Sequence, residues 1–162
     1  MKRLSIIATA MFVSLFFCGS LCAQTPEASP KTEFDAELAK KLGADEYGMR
    51  RYVLCILKTG PKDAEIKGEE RSEIFKGHMA NIVRLADEGK IALAGPFMAN
   101  DKQFRGLFIF AVDNIADAEK LAATDPVIKS GMMIAEFTPW YGSAALMEVT
   151  PISKKIVATP IQ

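Results

Sequence analysis

Histidine occurs once and cysteine three times in this sequence of 162 residues, and each scarcity excludes something. Cys18 and Cys22 fall in an N-terminal stretch that reads as removable, so Cys55 is left alone and no intrachain disulfide can form. Cys55 lies inside an apolar run and reads as an inert, buried small hydrophobe. With one histidine and one such cysteine, a tight zinc site lacks its usual ligands, and no metal is predicted. Charge of one sign is missing too. Twenty Lys and Arg residues balance twenty Asp and Glu residues, and loss of the N-terminal stretch removes only Lys2 and Arg3. Nothing in that balance draws a nucleic acid or an anionic membrane. The chain also has no phosphate-binding glycine loop and no dinucleotide fingerprint. Gly142-Ser143-Ala144 has neither the spacing nor the setting of a nucleophile elbow. The reading therefore calls for no cofactor.

What is present begins with a basic start at Met1-Lys2-Arg3, an apolar stretch from Leu4 to Cys18, and a small-residue end at Gly19-Ser20-Leu21-Cys22-Ala23. This is the three-part layout of a secretory signal peptide over residues 1–23, cleaved after Ala23, and it predicts an exported protein, periplasmic or extracellular. An uncleaved anchor is disfavoured by the Ser, Thr and Gly content and by the polar Gln24-Thr25-Pro26-Glu27 that follows. Lipid attachment is disfavoured because neither Cys18 nor Cys22 follows a small residue. The remainder, about 140 residues, suits one domain with its own core.

Residues 24–47 read as a flexible stalk and then a short helix, with Thr32 as cap and Phe34, Leu38 and Leu42 recurring every four residues until Gly43. Residues 48–147 read as the domain, and 148–162 as a tail. A β-rich run from Arg51 to Leu57 ends at Thr59-Gly60-Pro61. A helix follows over Glu69–Glu88, then strands at Ile91–Ala94 and Arg105–Val112. A second helix spans Ile115–Ala123, a break falls at Asp125-Pro126, and a last strand covers Met132–Phe137 and closes before Pro139. The order β-α-β-β-α-β predicts a ferredoxin-like antiparallel α+β sheet with both helices on one face. The first and third strands are apolar at nearly every position, so both faces are buried, and the uncovered face predicts a homodimer packed sheet to sheet. A monomer whose first helix and tail fold over that face is the competing reading.

His78, placed on a helical wheel at about 100° per residue, falls inside the apolar arc of Ile74, Phe75, Ile82 and Leu85, so its imidazole points to the sheet. Such a histidine is more often a core residue than a catalyst. Gly77 beside it costs about 1 kcal/mol of helix stability and signals close approach by a ligand or another segment. Asp125 before Pro126 reads first as a helix cap. If the chain turns beneath the first helix, its carboxylate also reaches the imidazole and fixes its tautomer. Arg105 as an anion clamp, Trp140 and Tyr141 as an aromatic wall, and Gly95-Pro96 read as pocket residues, each with an equally good reading as edge charge, core or turn.

Gly77-His78-Met79, Glu88-Gly89-Lys90, Leu93-Ala94-Gly95-Pro96, Arg105-Gly106, Thr124-Asp125-Pro126 and Pro139-Trp140-Tyr141-Gly142 occur in that order. Together, over Arg51 to Leu146, they resemble the YCII-related (YciI-like) family. The resemblance implies a ferredoxin-like domain dimerised into an α+β barrel, with His78 and Asp125 matching a proposed catalytic pair. It also implies proton transfer on a small cyclic substrate, by a lyase or isomerase that needs no cofactor. The alternatives are a dimer that only binds a small molecule and one that is purely structural.

Overall fold

The computed structural model describes residues 33–159. The predicted signal peptide, the predicted stalk and Thr32 lie outside the described residues. Helix α1 (Ala36–Leu42) is capped by Asp35, whose side chain accepts from the Leu38 amide, and not by Thr32. Phe34 stands before that helix and is exposed, as is Leu38, so of the three spaced apolar residues only Leu42 is buried.

Strand β1 (Met49–Thr59) lies at the centre of a four-stranded sheet. It is followed by α2 (Gly68–Asp87), β2 (Ile91–Pro96), β3 (Phe104–Phe110), α3 (Ile115–Ala122), α4 (Pro126–Lys129) and β4 (Met133–Ser143). The strand order is β2-β3-β1-β4 with every pairing antiparallel, as the ferredoxin-like reading requires. Local chemistry sets the boundaries. Gly89, in the left-handed region at φ 67°, ends α2 with a Lys90 amide bond to the Leu85 carbonyl at 2.8 Å. Asn114 caps α3 by accepting from the Asp117 amide.

The last strand departs from expectation, because it runs through Pro139 to Ser143. β4 is an edge strand, and its proline pairs across to Val53 without supplying an inward amide. A short 3-10 turn (Ala144–Glu148) and helix α5 (Val149–Ile156) follow. No helix among the described residues is long and apolar enough to cross a membrane.

The sheet divides the core in two. Val53, Cys55, Leu57, Phe108, Phe110 and Met133 pack under the helices. On the other face Tyr52, Ala92 and Ile109 are buried against Leu146 and Met147 of the 3-10 turn. The 3-10 turn, and not the tail beyond it, therefore covers part of the face that the sequence assigned to a second copy. Ile134, farther along the edge strand, is left 45% exposed.

Candidate functional site

Three consecutive residues of the turn into α4 dock on α2, and the glycine on α2 makes the approach possible. A Cβ on Gly77 would stand 3.0 Å from Cγ of Pro126, so only glycine lets the two helices come this close without displacement. One residue along, Asp125 is fully buried, and both of its carboxylate oxygens lie within 2.8–2.9 Å of His78 Nδ1. A carboxylate only accepts, so Nδ1 carries a proton, and in the neutral imidazole Nε2 presents a lone pair. Asp125 keeps its capping role as well, with Oδ1 accepting from the Val127 amide at 3.1 Å. The third contact joins Thr124 to Asn81, at 2.9 Å between Oγ1 and Oδ1.

The imidazole is held between aromatic rings, with Phe75 edge-on at 6.1 Å and Phe108 tilted at 6.0 Å between centroids. His78 is 8% exposed. Its Nε2 has no hydrogen-bond partner among the described residues, yet none of their buried side-chain nitrogens or oxygens is left unpaired. The two facts together put Nε2 in contact with solvent. Cys55, beneath the helices in the same core, has its thiol pushed up to about 12 by burial and, secondarily, by the charge of Asp125. It is a neutral thiol at ordinary pH.

The other predicted pocket residues fall into two groups, towards opposite ends of β1. Gly95, Pro96 and Arg105 sit where β2 and β3 leave the sheet, and Arg105 is the extra residue of a bulge opposite Leu57 and Lys58. A Cβ on Gly95 would meet open space. Trp140 pairs with Tyr52, five residues back along β1 from the partner of Gly106, which is about 17 Å of strand. Within one chain these groups do not line one pocket. Neighbours on β4, Trp140 and Tyr141 face opposite sides of the sheet. Trp140 stacks on Tyr52 at 5.6 Å and lies over Gly142, where any Cβ would collide with its indole. The Tyr141 hydroxyl donates to Asp45, holding that carboxyl below its ordinary value, while the phenol itself is raised to about 12 by the same bond. Tyr141 thereby fastens the loop before β1. A cleft of about 450 Å³ beside it is lined by Arg51, Asp113, Pro139, Trp140 and Tyr141.

Sequence reading did not single out Asn81, and it treated Thr124 only as one residue of a motif. The available signal was a polar residue three positions after His78, on the same side of an amphipathic helix.

Among solved structures, the 5-chloro-2-hydroxyhydroquinone dehydrochlorinase (TftG) from Burkholderia phenoliruptrix AC1100, in complex with 2,5-dihydroxybenzoquinone, is similar to this chain. The two share 20% sequence identity at a TM-score of 0.38, over 52% of this chain and 90% of that one. No curated protein matches the sequence. Residues 51–141, more than half of the chain, match the YCII-related domain. The Gly-His and Thr-Asp-Pro segments that dock on each other both lie in that span, and the chain belongs to the YCII-related domain family.

Proposed function

We propose that this protein is an exported acid–base enzyme in which His78, oriented by Asp125, moves a proton on a small cyclic substrate. The observation that carries the reading is the Nδ1 contact with both oxygens of a fully buried carboxylate, at 2.8 and 2.9 Å, on a histidine whose Nε2 meets solvent. Asp125 fixes the tautomer, so the lone pair on Nε2 is available as a base. Nε2 takes a proton from a carbon next to a carbonyl. The electron pair left behind either expels a leaving group from the adjoining carbon, an elimination, or draws the same proton back at another carbon, an isomerisation. The partly buried ring of Phe75 beside the base favours a flat, cyclic ligand. No cofactor is needed for either course. Export rests on the N-terminal layout, and a homodimer on the apolar part of the sheet that the 3-10 turn leaves open.

Exchange of deuterium into the α-carbons of cyclic ketones and lactones, followed by NMR, tests the reading before the natural substrate is known. The wild type is expected to accelerate exchange on at least one of them, and His78→Gln to slow it by roughly 10²–10⁴-fold while ligand affinity changes little. A second reading is favoured by the capping role of Asp125: the pair is a buried structural contact, and the protein binds a ligand or simply pairs with itself. Absence of wild-type exchange across the panel supports that second reading. Loss of ligand affinity in His78→Gln indicates a binder, and loss of stability alone indicates a structural histidine.

A further inference from the structure

Asn81 is, beside His78, the other buried polar side chain on α2, with 9% of its surface exposed, and its amide is held in a single orientation. Arg84 Nη2 approaches Asn81 Oδ1 at 2.8 Å and Thr124 Oγ1 approaches the same oxygen at 2.9 Å. Arginine has only donors, so the atom facing it must be the amide oxygen, and the flipped amide is excluded. Thr124 is itself tied to the Leu121 carbonyl at 2.7 Å and receives Arg84 Nη2 at 3.2 Å, which fixes the network from both sides. The consequence lies at the other end of the amide. Nδ2 has no acceptor among the described residues, although none of their buried side-chain nitrogens lacks a hydrogen bond, so Nδ2 reaches the surface.

His78 and Asn81 are thus built alike. They stand three residues apart on one helix, where side chains are neighbours. Each gives one polar atom to the same turn, His78 to Asp125 and Asn81 to Thr124, and each keeps one nitrogen open to solvent. We propose that the Asn81 amide is the second anchor of the site, donating an Nδ2 hydrogen to an oxygen of the ligand whose proton His78 moves. The inference rests on the acid–base reading of His78, and it narrows the ligand to a ring bearing a carbonyl or hydroxyl oxygen close to the proton removed. A donor in this place also stabilises negative charge that builds on that oxygen as the proton leaves.

Asn81→Asp separates this role from a structural one, because the carboxylate keeps the acceptor for Arg84 and Thr124 while removing both Nδ2 hydrogens. The probes are phenol and cyclohexanone, both neutral, titrated into ¹⁵N-labelled protein while the His78 ring and Asn81 amide signals are followed. The expected result is that one probe moves both signals with a single Kd in the wild type, and that Asn81→Asp binds it about tenfold more weakly at an unchanged melting temperature. The wild-type amide shift needs no variant and stands if Asn81→Asp folds poorly. If the His78 signal alone moves and Asn81→Asp binds equally well, the Asn81 anchor is overturned while the His78 site survives. If neither probe moves either signal at millimolar concentration, both the anchor and the ligand class fall.

Discussion

Asp125 performs two tasks with one carboxylate, and substitutions divide them. Asn is as good a cap as Asp, so Asp125→Asn keeps the α4 start and loses the charged acceptor for His78. It is expected to lower stability by about 1–3 kcal/mol and, because the amide oxygen still accepts but carries no charge, to move the hydrogen-bonded Nδ1 proton signal upfield. An Nδ1 signal unmoved by Asp125→Asn refutes the contact argued for His78. Cys55 makes a chemical prediction at the same scale. With a fully buried thiol raised to about 12, it is expected to resist iodoacetamide at pH 8 until the protein unfolds, as peptide mass spectrometry would read directly.

Tyr141 and Asp45 give a pH dependence of known sign. The Asp45 carboxyl is held below 3.8 chiefly by the Tyr141 hydroxyl, so its contribution is present above that value and is lost as pH falls through the folded pKa. The Tyr141 phenol is raised from 10.0 to about 12, so its contribution is complete below 10.0 and is lost as pH rises through about 12. The stability gap between the wild type and Tyr141→Phe is therefore expected to be widest between those limits and to close in acid and in strong alkali. A gap independent of pH across denaturation curves contradicts the bond.

At the scale of elements, glycine decides two contacts. Gly77→Ala gains about 1 kcal/mol of helix propensity but presses a methyl against Pro126 at 3.0 Å, so α2 and α4 must separate by a few tenths of an ångström. Stability should barely change while the His78–Asp125 bond lengthens, and the Nδ1 proton should exchange faster with solvent. The opposite sign is expected at Gly142, where a Cβ would drive the Trp140 indole off Tyr52 at a cost of about 1–3 kcal/mol. Thermal melts of the two variants should rank Gly142→Ala well below Gly77→Ala.

For the whole molecule, the question is what closes the second face of the sheet. The 3-10 turn and α5 close one end, with Leu146 and Met147 over Tyr52, Ala92 and Ile109. Surface ion pairs from Lys41 to Glu148 at 2.9 Å and from Lys154 to Asp87 at 2.6 Å add little to that apolar contact. Truncation after Ser143 is expected to lower stability by roughly 2–4 kcal/mol and to promote aggregation by baring the cluster. The proposed homodimer uses what the 3-10 turn leaves open, so Ile134→Glu should shift sedimentation towards monomer with little loss of fold. A monomeric wild type at micromolar concentration rules that pairing out.

The sequence alone determined the order of elements, the ferredoxin-like arrangement, the inward side of α2 that carries His78, and the cap at Asp125. Each of these is a local property, readable from periodicity, a stop at Gly89 or an Asp-Pro step, because hydrogen bonds within a turn of helix depend on near neighbours. Only the tertiary structure decided that Asp125, 47 positions away, reaches His78, and that Asn81 joins Thr124. It alone separated Arg105 from Trp140, carried the last strand through Pro139, and laid the 3-10 turn over the sheet. Those outcomes follow from strand register, from which strand lies at the edge, and from which apolar surface a late segment finds uncovered. They are set by packing among distant parts of the chain and leave no period in the sequence.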